Sequence, residues 1–97
     1  MVMLDPSKIT VIRSYLESEF ADLPVFDSCD LDHEAQSFRV GQGVPSYLAT
    51  VTAEFISDHS AEEIVSLIGK WQLGQVLRRV GRSRVRVTNS GLRIEDQ

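Results

Sequence analysis

Cysteine is nearly absent. Cys29 is the only one among 97 residues, so no internal disulfide can staple the fold, and a reducing, cytoplasmic setting is expected. Proline (3) and glycine (6) are scarce, which excludes collagen-like repeats and a Pro/Gly-rich linker. No apolar run approaches the roughly 18 residues a membrane-spanning helix needs. The opening stretch Met1-Val2-Met3-Leu4-Asp5-Pro6 has neither a basic n-region nor an apolar h-region, so no secretory signal is expected. What remains is ordinary: 42% hydrophobic and 25% charged residues, with mean hydropathy −0.09. That is the composition of one small globular domain, expected to span residues 1–97.

Chemistry-bearing patterns are equally thin. The candidate metal ligands are Cys29, Asp32, His33 and His59, with no Cys-x-x-Cys and no His-x-x-x-His; a structural zinc needs four ligands at defined spacing. The acids Asp27, Asp30, Asp32 and Glu34 follow no EF-hand order. Gly41-Gln42-Gly43 is not followed by a helix opening on Lys-Ser/Thr, so it is no phosphate loop. Cys29 and His33 form the one conceivable nucleophile–base pair, without a third group to orient the base. No metal, no cofactor and no catalysis are expected.

Charge is the uneven property. The net charge is −4 and the pI near 5.0. Residues 1–69 hold twelve acids and three bases, a balance of −9. Residues 70–94 hold Lys70, Arg78, Arg79, Arg82, Arg84, Arg86 and Arg93 and no acid, a balance of +7. Arginine favours planar, bidentate contacts, and such a split points to an acidic partner. The plainer reading is internal complementarity, with basic strands beside acidic ones in a single sheet.

Local signals give the element order. Asp5-Pro6 is an N-cap followed by proline at the first helical position. Ile9, Ile12, Leu16 and Phe20 then recur at helical spacing, and the helix should end near Asp22, ahead of Pro24. Strands are expected over Val25–Leu31 and Gln36–Val40, then over Tyr47–Ile56, where Tyr47, Ala49, Val51, Ala53 and Phe55 alternate with Leu48, Thr50, Thr52 and Glu54. Ser60-Ala61-Glu62-Glu63 is a capping box. It opens a helix through Ile64, Leu67, Ile68 and Trp71 that should end near Leu73. A short helical turn carrying Val76, Leu77 and Val80 follows, closed by Gly81. The expected class is α+β: a largely antiparallel sheet of about five strands, helices on one face, in the order α-β-β-β-α-(short α)-β-β.

The C-terminus reads as a hairpin. A Thr88-Asn89-Ser90-Gly91 loop pairs Val87 with Leu92 and Val85 with Ile94, with Gly91 supplying the positive φ; a three-residue loop would mix the faces. Arg84, Arg86 and Arg93 then share the outer face, and Arg86 faces Arg93. Like charges so placed repel and need an offset: an acidic strand carrying Asp30, Asp32 or Glu54, the acidic half of a second chain, or phosphates. Arg84, Arg86, Arg93, Arg82 and Arg79 are therefore the candidate residues for a protein partner or self-association. Nucleic acid or another anion is the alternative, disfavoured by the acidic pI and by the lack of aromatics among the arginines. The α-β-β-β-α order resembles a double-stranded-RNA-binding domain, but Ser60-Ala61-Glu62-Glu63 is acidic where that family places a lysine cluster. With two further strands, the order also resembles the small acidic secretion chaperones, dimers that hold an extended segment of another protein.

Overall fold

A computed structural model describes residues 5–30, 34–42, 46–81 and 83–95 of the chain. Its first helix, α1 (Pro6–Glu19), starts as its sequence dictates: the Asp5 carboxylate accepts from the Ser7 N–H at 2.9 Å. Ile12 and Leu16 are wholly buried on its inner side, and Phe20 joins them one residue past its end. β1 (Val25–Asp30), β2 (Ala35–Val40) and β3 (Tyr47–Thr52) follow as an antiparallel meander.

The expected strand over Tyr47–Ile56 stops at Thr52. Residues Ala53–Asp58 form a short helix, α2, because the Thr52 hydroxyl accepts from the Phe55 N–H at 3.2 Å and caps it. Packing agrees: a strand would send the neighbours Phe55 and Ile56 to opposite faces, whereas here both are buried in one core. The capping box predicted from Ser60 and Glu63 is present in both directions, at 3.2 and 3.0 Å. It opens α3 (Ala61–Lys70), which ends slightly before the expected Leu73. Gln72, in the left-handed region at φ 57°, then breaks the chain direction. α4 (Leu73–Val80) begins there without a side-chain cap of its own; the Tyr15 hydroxyl on α1 accepts from its Gly74 N–H at 3.1 Å instead. Gly81, at φ 63°, closes it.

β4 (Arg84–Thr88) and β5 (Gly91–Glu95) form the terminal hairpin. Its register is the one the alternation requires: Val85 faces Ile94, Val87 faces Leu92 and Arg86 faces Arg93. Thr88 and Gly91 also pair, so the connection tightens to Asn89-Ser90, with Gly91 at φ 115°.

Among the described residues the five strands make one sheet in the order β1-β2-β3-β4-β5. Three neighbouring pairs are antiparallel; β3 and β4 are parallel, so the sheet is mixed. The parallel pair follows from the crossover through α2, α3 and α4, which returns the chain to the end of the sheet where β3 began. Phe38, Val40, Ala49, Val51, Val85 and Val87 on one face are 0–2% exposed and pack with Ile12, Leu16, Phe55, Ile64, Ile68, Leu73 and Leu77 from the helices. Trp71, which continues the spacing of Ile64 and Ile68, is half-buried at the margin of the core, 5.9 Å from the Phe55 ring. No described helix is long and apolar enough to cross a membrane.

Candidate functional site

Among the described residues no helix covers the other face of the sheet, though Ala35 and Thr50 on it are only 2% exposed. Strand alternation places Phe26, Arg39, Leu48, Arg84 and Glu95 in one row across all five strands, and Ser28, Ser37, Thr50, Arg86 and Arg93 in the next. The second row is built of small side chains over its first three strands and of arginines over its last two. A depression of about 410 Å³ results, lined by Phe26, Asp27, Ser37, Arg39, Leu48, Thr50 and Arg84 among others. Phe26 is 37% exposed, a large apolar ring at the surface. The Arg39 guanidinium lies over that ring, 5.2 Å from its centroid, an arrangement favoured by the quadrupole of the ring.

The arginines predicted to share a face do so, but their surroundings differ from those expected. The strand beside β4 is β3, whose residues Tyr47-Leu48-Ala49-Thr50-Val51-Thr52 carry no acid. Asp30 lies on β1, separated from β4 by two strands. Glu54 lies on α2, where its carboxylate accepts from the Asn89 side-chain amide at 3.4 Å. Neither Glu54 nor an acid of β3 therefore offsets the Arg86–Arg93 repulsion, and Asp32 lies outside the described residues; the acid beside Arg86 comes from β5. Glu95, the last described residue of β5, sits 3.7 Å from the Arg86 guanidinium. It accounts for one arginine. The Arg84 and Arg93 guanidinium groups have no hydrogen-bond or ion-pair partner among the described residues.

Two other predicted residues do not join the group. Arg79 is exposed on α4, in the helical layer on the opposite side of the sheet. Arg82 lies outside the described residues. Conversely, the charge count missed Arg39, which belongs to the acid-rich part of the sequence and reaches the site from β2. Its outward direction was readable from the alternation with Phe38 and Val40; its proximity to β4 depended on strand order.

The acids gather elsewhere. Glu17, Glu19, Glu54, Asp58, Glu62 and Glu63 all belong to the helical layer. Several are engaged there: Glu19 with Arg78 at 3.9 Å, Glu17 with Arg13 at 3.9 Å, and Asp58 with the Asn89 amide at 2.8 Å. The Glu63 carboxyl is held below its ordinary range, chiefly by the hydrogen bond it accepts from the Ser60 backbone.

The remaining candidates have structural surroundings. His59 ends α2, with its ring 4.8 Å from Phe55 and its Nε2 3.1 Å from the Asn89 side-chain oxygen. Cys29 is exposed on β1, opposite Gln36. Asp32 and His33 lie outside the described residues, and with them the Cys29–His33 pair. Comparison with protein-family models, with curated proteins and with solved structures finds no match to the chain.

Proposed function

We propose that this chain is a small cytoplasmic interaction module without catalysis, which binds a protein partner or itself through its arginine-bearing hairpin and the open sheet face. The observation that carries the reading is the uncovered face itself. It brings together surface apolar side chains, Phe26 and Leu48, with Arg39, Arg84 and Arg93, the guanidinium groups of the last two without hydrogen-bond or ion-pair partners among the described residues. Interfaces combine these features, an apolar centre with arginine and aromatic anchors. Unpaired guanidinium groups beside apolar side chains add nothing evident to the stability of the fold, since like charges facing across strands weaken a sheet.

Light scattering at low and high salt, together with affinity capture using the chain as bait, tests the reading. A dimer, or one reproducibly recovered protein, is expected, lost when Arg84→Glu and Arg93→Glu are combined. A strict monomer whose recovered proteins are the same with and without those substitutions overturns it.

A further inference from the structure

We propose that the occupant of the open sheet face is an acidic peptide segment of another protein, carrying an apolar side chain flanked by carboxylates. This rests on the interaction-module reading and decides between its two forms.

Symmetry disfavours a second copy of the chain. A two-fold dimer formed through this face would set the same patch against itself. Arg39, Arg84, Arg86 and Arg93 would then face a patch in which Glu95 is already engaged by Arg86 and Asp27 by Arg13, with Asp30 at the far end of β1 as the remaining described acid of that face. Juxtaposed like charges at an interface are strongly unfavourable. A second copy could instead offer its acidic helical layer, but that contact is head-to-tail and closes only by completing a ring. A closed one-to-one complex therefore calls for a different chain with the opposite charge.

The chemistry of the depression favours an acidic segment with an apolar side chain. The depression offers Phe26 and Leu48 as apolar side chains beside the small residues Ser37 and Thr50, with Asp27 also in its lining. At about 410 Å³ it has room for an apolar side chain together with its flanking residues. Arg39 and Arg84 stand at its rim, and Arg93 lies further along the sheet. Carboxylates before and after an inserted leucine would meet guanidinium groups able to bind them bidentately. Nucleic acid fits less well. Its affinity comes from many phosphate contacts, its bases need exposed rings, and the Phe26 ring is already covered by Arg39. The acids of the helical layer do not prevent an acidic segment from approaching. The molecule measures 23 Å along its shortest axis, more than twice the screening length of about 8 Å at physiological salt.

The test is fluorescence anisotropy of the full chain against four labelled probes: a peptide of leucines separated by Asp and Glu, the same peptide with Lys for each acid, an all-Glu peptide of equal length, and a duplex DNA. Saturable binding of the Leu-acid peptide is expected, at least about fivefold tighter than the all-Glu peptide, with the Lys peptide and DNA not binding. Arg84→Glu with Arg93→Glu should weaken it more than tenfold and Leu48→Ser by about fivefold. Circular dichroism of each variant confirms that it is folded. Failure of the folded wild type to bind the Leu-acid peptide overturns the inference, as does equal binding of the all-Glu peptide or tighter binding of DNA. If light scattering shows a dimer that the Arg84/Arg93 variant abolishes, the acidic-segment inference falls and the interaction-module reading stands. If the peptide fails and the chain is a monomer with the same captured proteins in both forms, both fall.

Discussion

The helical layer and the open face of the sheet handle charge in opposite ways. In the helices, acids are placed where the backbone can use them. Glu63 completes a capping box and Asp5 caps α1, and Glu19 and Glu17 lie within reach of arginines. On the open face, two arginines stand directly opposite each other and only Arg86 has a carboxylate. The apolar residues diverge in the same way. Phe38 and Phe26 lie on adjacent strands, yet the first is wholly buried under the helices and the second is a surface ring. One side is satisfied by the chain itself; on the other, among the described residues, Glu95 meets Arg86 and the Phe26 ring meets Arg39, while the Arg84 and Arg93 guanidinium groups meet neither an acid nor a ring.

The sharpest way to break that contrast is a pair of truncations. Phe38→Ala removes a 0%-exposed side chain and should lower stability by about 3–5 kcal/mol in urea denaturation. Phe26→Ala should cost no more than about 1 kcal/mol. Similar losses at both positions would mean that the open face is part of the core after all. Next in size, Ser60→Ala removes the hydroxyl that accepts from Glu63 and should cost about 1 kcal/mol, visible as a lower midpoint in the same titration.

Arg93→Glu tests the other layer and should have the opposite sign. It replaces a repelling pair with an attracting one and should raise stability by about 0.2–1 kcal/mol. A variant less stable than the wild type would show that Arg93 is satisfied in the folded chain. The smallest effect is on pH dependence. The Glu63 carboxyl titrates lower when folded, because the Ser60 backbone N–H donates to it. Its stabilising contribution is complete above the unfolded value of about 4.3 and fades as pH falls through the lower folded value. Glu63→Gln retains an acceptor for Ser60, so its stability should decline less steeply below that pH. An unchanged slope would assign the acid sensitivity to Asp5, also held low, first by the Ser7 hydroxyl.

Legibility in the sequence followed the range of each interaction. The Ser60–Glu63 capping box joins residues three apart and was readable from those two letters. The hairpin register was readable too, because Val85, Val87, Leu92 and Ile94 allow one pairing that keeps a single apolar face. The segment after Thr52 misled for an instructive reason. Ala53 and Phe55 continue the period-2 pattern, but the Thr52 cap competes with the strand, and the adjacent burial of Phe55 and Ile56 favours the helix. The site was half legible. Arg84, Arg86 and Arg93 share a face through local alternation. Arg39 joins them, and Arg79 leaves them, only through the positions of β2 and α4.

The sequence alone determined where the chain turns, caps and alternates, and therefore that three guanidinium groups of the hairpin point the same way. These are contacts between near neighbours, where spacing and side-chain type decide the geometry. Only the tertiary structure decided that β4 lies parallel to the acid-free β3, that β1 stands two strands away, and that the acids collect with the helices. Strand order follows from how the crossover helices bury their apolar sides against the sheet, a collective balance of packing and chain entropy that no local pattern records.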